Sequence, residues 1–234
     1  MKINNDKIEL LNGIALLKDD QCICRFIRES GRLDHDQNML PLLKEFIKNG
    51  DVVLDIGAFI GDHTIYYSKL VGDNGSVIAF EPNRDSFFCL EHNLKAYKNV
   101  ELINSAIGKE YGFVRTVDVL GNIGMNFLIP DNLGGIVIYS LNQMEIDRID
   151  FIKIDVEGYE LDVLIGGKQT INKFKPTMLI EINDATLSRQ GISRNDIFAW
   201  LTENNYIYRN IYKEQGLNDS QLDIICTPND IRNT

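Results

Sequence analysis

DVVLDIGAFIGDHT, Asp51 to Thr64, is the stretch whose reading decides the fold. Val52, Val53, Leu54 and Ile56 form a short apolar run rich in β-branched residues, the pattern of a central parallel strand covered on both faces. It stops at a turn bracketed by Gly57 and Gly61, and a helix-forming segment follows. A strand, a glycine turn and a helix N-terminus with unpaired N–H groups make a nucleotide-binding corner. A dinucleotide fingerprint needs G-x-G-x-x-G so that the backbone can approach a pyrophosphate. Here the spacing is Gly57-x-x-x-Gly61. The strand also carries a carboxylate at its end, Asp55, which repels a pyrophosphate and suits a ligand with an ammonium or sulfonium end. Both details favour S-adenosylmethionine over NAD.

Glu81 ends the next apolar run, Ser76 to Phe80, and is placed to accept both hydroxyls of an adenosine ribose. A dehydrogenase would show the same acid, so Glu81 counts only beside Asp55 and the wide glycine spacing. Together the three point to a methyltransferase.

Outward from this corner, strands and helices alternate. A helix with Pro41 near its first turn and Leu43, Phe46 and Ile47 on its apolar face leads in, ended by Asn49-Gly50. Arg84 to Tyr97 repeats apolar residues at three- and four-residue spacings, Val100 to Ile103 reads as a third strand, Phe151 to Val156 as a fourth and Met178 to Ile182 as a fifth. Ser193 and Asp196 have capping-box spacing ahead of a further helix. Tyr206 to Tyr212 and Leu222 to Cys226 close the chain as an antiparallel hairpin. The expected fold class is α/β: a Rossmann-like, doubly wound, mostly parallel seven-stranded sheet with an antiparallel C-terminal hairpin. Residues 1–33 read as a small N-terminal β appendage, including a strand Cys22 to Ile27, residues 34–228 as the catalytic domain and 229–234 as a polar tail. Phe113 to Val119 and Ile136 to Leu141 read as extra strands, and Gly121 to Gly135 between them reads as a structureless loop, long enough to be functional, with apolar residues between glycines that suggest a mobile lid.

With 234 residues, one domain with small additions is the economical reading. The formal net charge of −10 disfavours a phosphate backbone as the main partner, so no nucleic acid is expected. No run of about 18 apolar residues or signal-peptide core occurs, so no membrane partner and a cytoplasmic location are expected. The four cysteines lack metal-ligand spacing and read as reduced thiols.

DIGAFIGDHT, AFEPN (Ala79 to Asn83) and FIKIDVEGYELDVLIGG (Phe151 to Gly167) resemble, in order and spacing, the signatures of FkbM-type methyltransferases. The resemblance runs from about Asp34 to Asn183. It implies a class I S-adenosylmethionine-dependent enzyme that O-methylates a hydroxyl of a sugar, glycan or natural-product small molecule. It also implies that Asp55, Gly57, Ala58 and Gly61 hold the methionine end of the cofactor. Glu81 would bind the ribose, Pro82 and Asn83 shape the adenine side, and Ser105 and Ala106 flank the adenine. Two departures, Phe59 where the family often has Asn and Asn142 where it often has Asp, bear on substrate rather than cofactor.

A hydroxyl nucleophile must lose a proton, and a positioned carboxylate or histidine is the usual acceptor. Asp155 and Glu157 stand two apart where the fourth strand ends, Glu181 ends its neighbour, and the three form the expected catalytic group, with His35 as the histidine candidate. Against these readings, Glu157 can simply serve the next helix N-terminus, Glu181 can pair with a lysine, Lys153 can orient an acid, and His63 suits packing at a helix start. Three acids can also hold Mg²⁺ through oxygen, but no metal is the favoured reading. The competitors are an NAD-binding oxidoreductase, which lacks its G-x-G here, a non-catalytic S-adenosylmethionine-binding module, which would not need three acids in one cleft, and a nucleic-acid methyltransferase, disfavoured by the acidic balance and by the lack of an Asn/Asp-Pro-Pro-Tyr-type motif after the fourth strand.

Overall fold

The structure is a computed structural model that describes residues 6–33, 36, 38–212 and 216–229. It opens with a hairpin, β1 (Ile8–Leu11) and β2 (Ile14–Leu17), followed by α1 (Ile23–Ser30). A helix thus stands where a strand from Cys22 to Ile27 was expected. Cys24 and Ile27 face inward while Arg25 and Glu29 face solvent, and the Asp20 carboxylate accepts the amides of Cys22 and Cys24 at the helix start. That local hydrogen bonding outweighs the β tendency of the run. The segment around Pro41 is a 3-10 turn, Leu40–Glu45, rather than an α-helix.

The corner follows as expected: β3 (Val52–Ile56), α2 (Asp62–Val71), β4 (Ser76–Phe80), α3 (Arg84–Leu94) and β5 (Val100–Ile103). The next region holds the two extra strands expected around Phe113 and Ile136 and adds two more. The strands β6 (Ala106–Ile107), β7 (Gly112–Val117), β8 (Phe127–Pro130) and β9 (Ile136–Tyr139) form a second sheet in the order β6-β9-β7-β8. The expected loop from Gly121 to Gly135 therefore contains a 3-10 turn, Ile123–Met125, and the strand β8. Leu128 is buried on that strand, and its burial beside Val114 explains the apolar residues between the glycines.

Beyond it run β10 (Phe151–Ile154), α4 (Glu160–Gly166), α5 (Lys168–Phe174), β11 (Thr177–Asn183), α6 (Asp184–Arg189), α7 (Arg194–Glu203), β12 (Tyr206–Asn210) and β13 (Gln221–Pro228). The short helices α5 and α6 were not expected. Ser193 and Asp196 form the capping box of α7. Among the described residues the central sheet has seven strands in the order β12-β13-β11-β10-β3-β4-β5. All neighbours are parallel except β13, which runs antiparallel to both β11 and β12. This is the expected Rossmann-like sheet. Alternate residues feed two cores: Leu54, Ile152 and Ile180 pack against α4 and α7, while Val53, Phe151 and Leu179 pack against Tyr67 and Val71 of α2. The N-terminal hairpin packs on α3 and shares a core with Phe59 and Ile60 of the corner. No described helix is long and apolar enough to cross a membrane.

Candidate active site

The carboxyl ends of β3, β4, β10 and β11 open onto a cleft of about 400 Å³, the place where doubly wound sheets bind ligands. At one end stands Glu81. Its Oε2 accepts the Phe59 amide at 2.9 Å and its Oε1 accepts the Asn83 amide at 2.7 Å. Burial pushes its pKa up to about 8, against the pull of those two amides and Lys153. Asn83 caps α3 by accepting the amides of Asp85 and Ser86. Pro82, Ser105 and Ala106 line the same end, and the buried Ser105 hydroxyl has no hydrogen-bond partner among the described residues. Phe59 takes a left-handed conformation, φ 50°, which Asn tolerates far better. Its side chain packs in the N-terminal core with Ile123, which holds it there.

The floor is built around Lys153. Its ammonium donates to the Gly57 carbonyl at 2.8 Å and lies 3.0 Å from Asp155 Oδ2 and 3.8 Å from Asp55 Oδ1. Burial works against its charge, but Asp155 and Asp55 raise its pKa overall. The reading of Lys153 as a residue that orients an acid therefore holds. Asp55 is fully buried and accepts the Thr64 hydroxyl at 2.6 Å. Of the expected cofactor residues, Asp55, Ala58 and Gly61 are beneath the cleft rather than in its lining. Gly61, at φ 94°, has no room for a Cβ because Leu90 and Leu94 of α3 pack against it. Gly57 does line the cleft, and a Cβ there would stand 1.8 Å from the Asp155 carbonyl oxygen. Only glycine lets the turn after β3 pass that close to the end of β10.

At the other end the sequence-predicted acids converge. Asp155, Glu157 and Glu181 each offer a carboxylate oxygen within 4.8 Å of the others. Glu181 accepts from the side-chain amide of Gln221 at 2.9 Å, not from a lysine. Asp223 of β13 lies opposite Glu181 in register and also lines the cleft. Mutual repulsion sets the proton affinities here. Asp155 first, then burial and Glu157, hold Glu181 well above the ordinary carboxylate range. Burial, then Asp155 and Glu160, push Glu157 up to about 8, and burial with Asp155 pushes Asp223 up to about 7. The acid that shapes the loop into α4 is Glu160, whose Oε1 accepts the amides of Val156 and Gly158. Glu157, at φ 55°, is left facing the cluster, with Oε2 buried and unpartnered among the described residues.

His35 lies outside the described residues. His63 stands at the start of α2, edge-on to the Tyr67 ring at 6.0 Å, consistent with a packing role, though it also borders the cleft. Cys89 is buried, which pushes its thiol up to about 12 and keeps it protonated. Sequence reasoning missed Asp223, Gln221, Asp62 and the turn Ile123–Met125, all of which line the cleft. For Asp223 the signal was its place in an alternating strand, but its partner follows only from the hairpin's register.

Residues 138–208, which include the KIDVEG block and the strand of Glu181, match the Methyltransferase FkbM domain family. That stretch of the chain, around the acid cluster, is similar to an FkbM methyltransferase domain. A hexuronic acid methyltransferase, AglP, of Haloferax volcanii is 25% identical over 181 residues, covering 72% of this chain and 68% of its own. The structure of a methyltransferase FkbM from Methylobacillus flagellatus superposes with a TM-score of 0.52 at 17% identity, over 76% of this chain. The chain spans 43% of that longer protein. An rRNA methylase from Streptococcus thermophilus superposes with a TM-score of 0.50 at 12% identity, covering 81% of this chain and 93% of its own. The fold is thus shared with an rRNA methylase as well as with an FkbM methyltransferase.

Proposed function

We propose that the protein is an S-adenosylmethionine-dependent O-methyltransferase acting on a hydroxyl of a sugar, a glycan or another small polar acceptor. The observation that carries this reading is a single cleft with a ribose-type carboxylate, Glu81, at one end and a convergent group of acids at the other. The residues suit the cofactor. Glu81 keeps lone pairs for two hydroxyls beyond its two amides, Ser105 has an unpaired hydroxyl, and Gly57 leaves the floor bare. S-adenosylmethionine, when bound, supplies a methyl group activated by a sulfonium. Asp155, Glu157, Glu181 and Asp223 then hold the acceptor hydroxyl and take its proton, a task for which carboxylates of raised pKa suit neutral pH. Lys153 and Gly57 fix Asp155 in place, so alignment and proton removal depend on the same loop. The hexuronic acid methyltransferase relative supports a sugar as acceptor.

The test joins calorimetry with S-adenosylhomocysteine to transfer of labelled methyl onto a neutral hexose, a hexuronic acid, a polyol and rRNA. Binding of the cofactor product and a labelled methyl ether on one of the small acceptors are expected. Absence of binding would remove the cofactor assignment. Label on rRNA alone would replace the acceptor class.

A further inference from the structure

We infer that Asp155, Glu157 and Glu181 form a binding site for a divalent cation at the acceptor end of the cleft. Three carboxylates from two neighbouring strand ends bring their oxygens within 4.8 Å of one another. Among the described residues, the cation paired with them is Lys153, and it is shared with Asp55 and the Gly57 carbonyl. One ammonium cannot offset three carboxylates held this close, so ionising all three calls for a further positive charge.

Glu157 supplies an independent observation. Its side chain is buried, and its Oε2 is buried with no donor in reach among the described residues. A buried polar atom left without a partner is costly, and native structures seldom keep one without a ligand, water or ion to fill the gap. The Arg189 guanidinium, whose charge is felt at Glu157, stands 5.0 Å over the Phe127 ring and does not bond that oxygen.

The chemistry and spacing select the ligand. Oxygen-only donors favour hard cations. Calcium bonds oxygen at about 2.3–2.6 Å, so two oxygens on opposite sides of it stand roughly 4.6–5.2 Å apart; for magnesium the span is about 4.0–4.2 Å. A separation of no more than 4.8 Å falls within the calcium span, whereas a pair at that limit would have to close by roughly 0.6–0.8 Å for magnesium. Resting on the acceptor reading above, the ion's remaining positions would take acceptor hydroxyls. Asp223, outside the three, is then the carboxylate left to receive the proton.

Metal-stripped protein titrated with CaCl₂, MgCl₂ and MnCl₂ should show one saturable site within the roughly 10⁻³ M range of weak sites, with a melting temperature that rises and saturates alongside. Glu157→Gln and Glu181→Gln keep the shape but remove a charge, and each should weaken the cation by at least about tenfold. Glu203→Gln, on the exposed side of α7, should not. If Glu157→Gln fails to fold, Glu181→Gln decides. No saturable binding in that range, or binding indifferent to both variants, overturns the site. S-adenosylhomocysteine titrated in parallel keeps the outcomes apart, since its binding survives a failure of the cation site and its loss would fail the methyltransferase reading instead.

Discussion

At one end of the cleft a carboxylate is surrounded by donors; at the other, carboxylates surround one another. Glu81 has both oxygens engaged by backbone amides two positions on and in the neighbouring turn. Asp155 instead raises the proton affinity of Glu157, Glu181 and Asp223, with one lysine and one amide among the four. The first arrangement is rigid before any ligand arrives, as a binding platform should be. The second is left electrostatically unsatisfied, as expected of groups that exchange a proton or take a cation. The two ends can therefore be broken separately.

The largest effect is expected at the acid end. Asp155→Asn preserves shape, removes a base and a charge, and loosens Lys153. Turnover should fall by about 10²–10⁴, the span of general acid–base catalysis, while the affinity for S-adenosylhomocysteine changes by no more than a few-fold. Steady-state kinetics beside calorimetry measures both. Near-normal turnover would pass the role to Glu157, Glu181 or Asp223.

The mirror experiment is Glu81→Ala. Hydrogen bonds to a charged group contribute about 1.5–3 kcal/mol each, so losing even one of the two ribose contacts should weaken S-adenosylhomocysteine by about 10- to 150-fold. The amides of Phe59 and Asn83 lose their acceptor as well, at about 1–3 kcal/mol of stability. A variant that binds normally would show that the ribose lies elsewhere.

A smaller effect follows from the pKa of about 8 that burial gives Glu81, with Lys153 opposing and Asp55 reinforcing the shift. Its folded-state value lies above its unfolded one, so the free protein loses stability as pH rises from about 4.5 to about 8. Ribose hydroxyls favour the ionised form. Affinity should therefore rise by up to about tenfold per pH unit below 8 and level off above it, with Glu81→Gln flat across the range. A wild type as flat as the variant would mean that Glu81 is already ionised in the free protein.

The same contrast explains what was legible in the sequence. The corner is local: β3, the turn and Glu81 with its capping neighbour Asn83 follow one another in the chain, so the residue pattern carries the geometry. Asp155, Glu157 and Glu181 were legible because each stands near the carboxyl end of a recognisable strand. Asp223 was not, because its place beside Glu181 depends on how β13 pairs with β11 across some 40 residues of intervening chain. Gly61 was assigned to the ligand because spacing alone does not say which side of the turn a glycine relieves; it relieves the α3 side. Two strands of the accessory sheet, β7 and β9, were legible, whereas β6, of two residues, and β8, inside a glycine-flanked loop, are too short and leave too little alternation to read.

The smallest effect is expected at the roof of the ribose end. Asp20 is fully buried, and it joins two segments that the sequence keeps far apart. Its Oδ1 accepts the amides of Cys22 and Cys24, its Oδ2 accepts the amide of Ile123 at 3.0 Å, and the Gln21 amide donates to the Gly121 carbonyl at 2.9 Å. One carboxylate thus starts α1 and pins the 3-10 turn that lines the cleft beside Asn83. The turn is tied at this point rather than free as a lid. Asp20→Asn puts an NH₂ group where an acceptor is needed, so α1 or the turn must lose its bond, at about 1–3 kcal/mol. For a chain of this size that lowers the melting temperature by about 2–10 °C. A merely structural role would end there. A roof over the cofactor predicts more: faster dissociation of S-adenosylhomocysteine, by about three- to tenfold on the cost of one such bond, with turnover at saturating cofactor unchanged. Amide exchange at residues 121–126 should slow when S-adenosylhomocysteine binds the wild type and slow less in the variant. If exchange there ignores the ligand, Asp20 holds the N-terminal segment in place but has no part in retaining the cofactor.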